Sequence, residues 1–146
     1  MKIGIVGSGI FGIAAAIELN SRGHFVTVFD QGRVPYENAT STDVSKGIRR
    51  TWYAGDNETY VELVERAAIQ WRKWDNNIDE PIYHQTGGMS ILNSFEPGSP
   101  MHESWIYLID RGATGLEVMD SSKARKRFPQ FIIHDGETVL YDKWSG

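Results

Sequence analysis

The sequence predicts an α/β fold that opens with a strand–helix–strand unit, and three observations carry this prediction. Residues 3–6 form a short apolar run with β-branched side chains and a bounding glycine, as is typical of a buried parallel strand. Residues 10–20 are apolar and rich in alanine, which favours a helix, and residues 25–29 repeat the β-branched pattern. A glycine-rich hexapeptide, residues 7–12, connects the first strand to the helix.

Composition limits the function classes that the chain can belong to. Its 146 residues are 40% hydrophobic and 23% charged, which is typical of a globular domain. The net charge of −4 argues against a nucleic-acid partner, because such proteins neutralise phosphates with lysine and arginine. The absence of cysteine excludes disulfides and cysteine nucleophiles within this chain. No secretory signal and no membrane-spanning stretch is recognisable, so we expect a cytoplasmic protein without a membrane partner.

Beyond the first unit the patterns predict alternating helices and strands. Asp30 closes the second strand, and residues 31–45 are rich in turn-forming residues and predict a loop. Apolar residues at three- and four-residue spacing predict an amphipathic helix over 58–74. The remaining predicted elements are a strand at 87–92, a helix at 101–111, a strand at 116–119, a helix from 121 that Asp120 caps and Pro129 ends, and a last strand just before the chain ends.

The hexapeptide has the spacing of a dinucleotide-binding turn, G-x-G-x-x-G. Gly7 lets the chain turn sharply from strand to helix, and Gly9 removes the Cβ that would obstruct a diphosphate. Gly12, with Ala16 one helical turn later, allows the helix to lie close to the sheet. A diphosphate would then accept hydrogen bonds from free backbone N–H groups at the positive end of the helix dipole.

Asp30 has the position that this fingerprint requires of its acidic residue. It follows the second strand about twenty residues after the glycines, where a carboxylate accepts hydrogen bonds from the ribose hydroxyls of an adenosine. The same negative charge would repel a 2′-phosphate, which disfavours NADP. The sequence therefore predicts a Rossmann-type βαβ unit that binds a dinucleotide.

Several segments in order resemble the FAD-dependent amine and amino-acid oxidases, the D-amino-acid oxidase-like family. After the glycine turn and Asp30, these are the segment Ile48-Arg49-Arg50-Thr51-Trp52-Tyr53, the strand Thr86-Gly87-Gly88-Met89-Ser90-Ile91-Leu92, and the later segments 116–120 and 127–129. Within that family the chain resembles in particular the monomeric sarcosine oxidases and N-methyl amino-acid oxidases.

The resemblance implies a fold, a cofactor and a reaction. Residues 1–80 would be the first part of a Rossmann-type FAD-binding domain, and residues 81–146 the start of an incomplete α+β substrate domain. The enzyme would oxidise the C–N bond of an amino acid or N-methyl amino acid to an imine. FAD would accept the electrons and pass them to oxygen or another acceptor.

The resemblance also implies roles for individual residues. Arg50 matches an arginine that holds the substrate carboxylate, with Arg49 as the alternative if the alignment slips by one residue. A structural ion pair is the competing interpretation of Arg50. No metal is expected, because the four histidines are scattered. The implied cofactor-binding residues are Gly7, Ser8, Gly9, Ile10, Phe11, Gly12, Asp30, Gln31, Ser41, Thr42, Lys46 and Gly47.

The chain is much shorter than the family's usual length. We therefore expect that it is inactive alone and needs the missing C-terminal portion, or another chain, to complete the fold. Two alternatives remain open. An NAD-dependent dehydrogenase domain would use the same glycine turn, although regular strand–helix alternation does not continue after Asp30. A truncated, non-catalytic module would bind a partner through exposed apolar faces.

Overall fold

The computed structural model describes residues 1–53 and 58–146, which form two compact units, 1–46 and 47–146. Three elements belong to the first unit: β1 (Lys2–Val6), α1 (Ile10–Ser21) and β2 (Phe25–Phe29). The described elements of the second unit are α2 (Glu58–Asp75), β3 (Gly88–Leu92), α3 (Pro100–Asp110), β4 (Leu116–Asp120), α4 (Ser121–Arg127) and β5 (Thr138–Asp142).

The first unit is the predicted strand–helix–strand arrangement. β1 and β2 are parallel, with a register that runs from Lys2 opposite Phe25 to Val6 opposite Phe29. Helix α1 connects them and ends one residue beyond the predicted end, after which Gly23 turns the chain with a φ of 80°. Such a left-handed turn favours glycine because it has no Cβ. The α/β fold class is thereby confirmed.

The first unit has little core of its own. None of residues 1–46, all of which are described, is fully buried. Helix α1 is apolar around its circumference, and the side chains of Ile10 and Ile17 are half exposed. A helix of this composition is typical of one that is enclosed on several sides.

The second unit contains a three-stranded antiparallel sheet in the order β3–β5–β4. The central strand β5 lies near the end of the chain, so the sheet forms through contacts distant in sequence. Its core contains Met119, Ala124, Ile133 and Val139, against which Phe128 and other half-buried side chains pack. Helix α4 begins where predicted, because the Asp120 carboxylate accepts a hydrogen bond of 2.8 Å from the Lys123 amide.

The boundary between the compact units follows residue 46, whereas the sequence places a domain boundary after residue 80. The units reflect packing within this chain, so the assignment of residues 1–80 to a FAD-binding domain stays a prediction. Within the described part of the chain, no helix is long and apolar enough to cross a membrane.

Candidate dinucleotide site and arginine cluster

The turn after β1 has the backbone geometry that the fingerprint requires. Gly7 has a φ of 99°, a conformation that residues with a side chain rarely adopt. Its amide donates a hydrogen bond of 2.7 Å to the carbonyl of Phe29, which continues the pairing of β1 with β2. The turn therefore begins directly at the carboxyl ends of the two parallel strands, where ligands bind in open α/β sheets.

The other two glycines of the turn differ in what surrounds them. A Cβ on Gly12 would overlap the carbonyl oxygen of Gly7, so the close approach of helix and turn requires glycine there. A Cβ on Gly9 would meet nothing within 4 Å. Gly12 thus serves packing inside the unit, and the space beside Gly9 is left open by the protein itself.

The start of α1 has no side-chain cap. Gly9 is its N-cap and makes no side-chain hydrogen bond, and the first turn contains no acidic residue. The amides of the first turn have no acceptor within the helix, and the helix dipole adds positive potential there. This arrangement suits a diphosphate, so the residues present fit the ADP half of a dinucleotide.

Asp30 lies beside this turn and is tied to it by hydrogen bonds. Its Oδ2 accepts bonds of 2.6 Å from both the amide and the hydroxyl of Ser8, and its Oδ1 accepts one of 3.2 Å from the Gly32 amide. These donors lower the pKa of Asp30 from 3.8 to about 2, with the Ser8 hydroxyl as the largest cause. The carboxylate is therefore fully ionised at neutral pH.

A depression of about 310 Å³ lies at the ends of the two parallel strands. A depression of this volume lies at the small end of the range of ligand sites. Three of the five residues that line it, Gly7, Asp30 and Gln31, were predicted from the sequence as cofactor-binding residues. The other two, Val6 and Phe29, were not predicted. Their positions at the last residues of β1 and β2 were the signal that could have found them.

The residues predicted to run beneath the flavin lie in a segment without helix or strand. Thr42 is held locally, since its amide and its hydroxyl donate to the carbonyls of Ala39 and Tyr36. Lys46 forms an ion pair with Asp43. Ser41 belongs to the same first unit, whereas Gly47 begins the second. The role of this segment toward a flavin stays a prediction.

In the second unit, Arg50 forms a buried ion pair. It is 4% exposed, and its Nε and Nη2 donate to the two carboxylate oxygens of Asp142 at 3.1 and 3.0 Å. Nη2 also donates to the carbonyl of Thr114 at 2.8 Å. The Trp144 ring lies under the guanidinium, with 5.0 Å between its centroid and Cζ. This two-point pairing is the geometry in which arginine binds carboxylates most strongly.

Arg49 has different surroundings from its neighbour. Its side chain is exposed, and its guanidinium carbon lies 5.0 Å from the centroid of the Trp52 ring. The carboxylate-binding face of Arg50 is used by Asp142, whereas Arg49 lies against an aromatic ring as a cation–π pair.

Comparison with known proteins identifies the relationship. A sequence profile of the family described as FAD-dependent oxidoreductase matches residues 2–145. N-methyl-L-tryptophan oxidase of Citrobacter koseri is 25% identical over 142 residues, and that of Salmonella typhi is 26% identical over 146 residues. In each case the alignment covers 97% of this chain and 37% of the relative. The chain thus spans little more than a third of the length of these relatives.

Solved structures share the fold. An L-proline dehydrogenase from P. horikoshii matches 99% of this chain with a TM-score of 0.79 and 22% identity. An L-amino acid deaminase from Proteus vulgaris matches 97% of this chain with a TM-score of 0.67 and 16% identity. This chain covers 37% of each of those structures. The family match favours FAD over NAD as the dinucleotide.

Proposed function

Because the chain belongs to the FAD-dependent oxidoreductase family, we propose that its first unit binds the ADP half of FAD. The diphosphate accepts hydrogen bonds from the backbone at the start of α1, and the Asp30 carboxylate accepts one from the ribose. The observation that carries this proposal is the open space beside Gly9, next to a helix start without a side-chain cap. FAD, when bound, supplies the acceptor for the electron pair removed from a substrate.

The proposed reaction is oxidation of the C–N bond of an amino acid or N-methyl amino acid to an imine. The named relatives, an N-methyl-L-tryptophan oxidase and an L-proline dehydrogenase, support amino acids as the substrate class. The chain covers 37% of each, so we propose that it acts as the N-terminal part of a larger catalytic assembly and is inactive alone. Oxidation to an imine removes a hydride equivalent, two electrons and a proton, from the carbon beside nitrogen and a second proton from the nitrogen, and the protein must orient that carbon toward the electron acceptor.

An arginine would hold the substrate carboxylate, as the resemblance of segment 48–53 to the family implies. Arg50 takes this role only if it exchanges Asp142 for the substrate or binds both, whereas Arg49 is exposed and pairs with no carboxylate among residues 1–53 and 58–146. We therefore propose both Arg49 and Arg50 as candidates for binding the substrate carboxylate, and matched variants distinguish between them.

The proposed function is tested with the protein encoded by the complete reading frame that contains this chain. The purified protein should carry FAD or bind it from solution, and the flavin's visible absorption should fade without oxygen when amino acids or N-methyl amino acids are added. A colourless protein that cannot be reconstituted with FAD would contradict the proposal. Reduction of the bound flavin by NADH, but by no amino acid or N-methyl amino acid, would contradict it as well.

Matched arginine variants separate the two candidates for carboxylate binding. Arg49→Met and Arg50→Met are compared for KM with an amino acid and with the amine that lacks its carboxylate. Loss of the carboxylate contact raises KM for the amino acid about tenfold or more and leaves KM for the amine unchanged. If neither variant changes the ratio of the two KM values, neither arginine binds the carboxylate.

A further inference from the structure

Ser8 links two features of the proposed site, the glycine turn and the acidic residue Asp30. Its amide and its hydroxyl both donate to Oδ2 of Asp30 at 2.6 Å. Position 8 follows Gly7 in the turn, and Asp30 follows β2, so this contact links the ends of both parallel strands. The spacing of the motif requires no hydroxyl at this position.

The two contacts divide the carboxylate into an occupied and an available oxygen. A carboxylate oxygen accepts about two hydrogen bonds, so Ser8 fills Oδ2. Oδ1 accepts one longer bond, of 3.2 Å, from the Gly32 amide and retains capacity for another donor. Asp30 also lines the depression at the strand ends, so the carboxylate is fixed at the edge of a space that a nucleoside could enter.

We infer that Ser8 is a positioning residue, whose hydroxyl fixes the Asp30 carboxylate so that Oδ1 binds a ribose hydroxyl of FAD. This inference rests on the proposed function. Fixing an exposed carboxylate before the nucleotide arrives removes rotational freedom that binding would otherwise have to freeze. The Ser8 hydroxyl also lowers the pKa of Asp30, which keeps the acceptor ionised at neutral pH.

A double-mutant cycle tests the inference in the full-length protein. FAD affinity is measured for wild type, Ser8→Ala, Asp30→Ala and the double variant by quenching of flavin fluorescence. Ser8→Ala should weaken binding about three- to tenfold, as expected for one exposed charge-assisted hydrogen bond. In the Asp30→Ala background the same substitution should have no further effect, because Ser8 acts through Asp30. Ser8→Thr, which keeps a hydroxyl, should restore most of the affinity.

Ser21→Ala is the matched control, because the Ser21 hydroxyl donates to the Glu18 carbonyl at the far end of α1. It should leave FAD affinity unchanged. The inference is overturned if Ser8→Ala leaves FAD affinity unchanged, or if it lowers the affinity equally in the wild-type and Asp30→Ala proteins. In either case, FAD binding by the wild-type protein still supports the proposed function. Failure of the wild-type protein to bind FAD overturns both.

A pH titration gives a second readout, which does not depend on FAD. The carboxyl resonance of Asp30 should titrate with a pKa of about 2 in the wild type. In Ser8→Ala the largest cause of that lowering is removed, so the pKa should rise toward 3.8. Because the charged form is the one that Ser8 stabilises, the Ser8 contact is complete above pH 3.8 and is lost as the pH falls toward 2. An identical pKa in both proteins overturns the inference.

Discussion

At the scale of single residues, the glycines of the first turn perform separate tasks. Gly7 adopts a positive φ, Gly12 makes room for the Gly7 carbonyl, and a Cβ on Gly9 would meet no atom of the described residues within 4 Å. The spacing of the motif predicted all three. It did not predict the contact between Ser8 and Asp30, because no sequence pattern states which donor an exposed carboxylate will meet.

Gly12→Ala tests the packing role assigned to that glycine. Its methyl group would overlap a backbone oxygen, which cannot rotate away as a side chain could, so helix and turn must separate. We expect the free energy of unfolding to fall by about 1–3 kcal/mol, despite the better helix propensity of alanine. Urea denaturation with and without the substitution measures this change. Unaltered stability would contradict the close approach.

At the scale of helices and strands, the sequence predicted the local elements and the parallel pairing of β1 with β2, but it made no prediction of the strand order in the second unit. Periodicity and capping residues indicated α2 and α4, and β2 has the predicted bounds, because these signals lie within the element itself. The order β3–β5–β4 depends on contacts between distant segments. Likewise, an ion pair was foreseen as one interpretation of Arg50, but its partner Asp142 is 92 residues away.

Asp142 joins the segment before α2 to the end of β5, and its removal should affect the second unit strongly. The carboxylate is 1% exposed and also accepts a hydrogen bond of 2.9 Å from the Ser145 hydroxyl. Asp142→Ala removes the two-point partner of the buried Arg50 and leaves it only the more distant Glu65 carboxylate, 3.7 Å from Nη1, among the described residues. We therefore expect a loss of about 3 kcal/mol in the free energy of unfolding.

Asp135→Ala is the matched control for this prediction. Asp135 pairs with Arg125 at 2.7 Å, but its side chain is 92% exposed. An exposed pair of this kind contributes at most about 1 kcal/mol. Chemical denaturation of both variants gives the comparison. Equal losses would contradict the structural importance assigned to the buried pair.

At the scale of the whole chain, the two units differ in how much core each possesses. Every fully buried residue that the structure describes belongs to residues 50–146, whereas the first unit exposes large apolar side chains such as Phe11, which is 90% exposed. The chain spans 37% of the length of each relative named above.

Hydrogen exchange measures this difference directly. In the 146-residue chain, we expect backbone amides of β1 and β2 to exchange faster than those of β5, because few buried contacts oppose their opening. In the protein from the complete reading frame, added FAD should slow exchange in the first unit. Equal protection of both units in the short chain would contradict this expectation.

The proposed FAD site depends most on the open backbone beside Gly9, and Gly9→Val tests this most directly. Gly9 has a φ of −67° and a ψ of 178°, a conformation that valine adopts, and its Cβ would meet no protein atom within 4 Å. Stability should therefore change by about 1 kcal/mol or less. FAD affinity, measured by titration of the full-length protein, should fall at least about tenfold, because the side chain fills the space assigned to the diphosphate. Unchanged FAD affinity in a folded Gly9→Val protein would contradict the account.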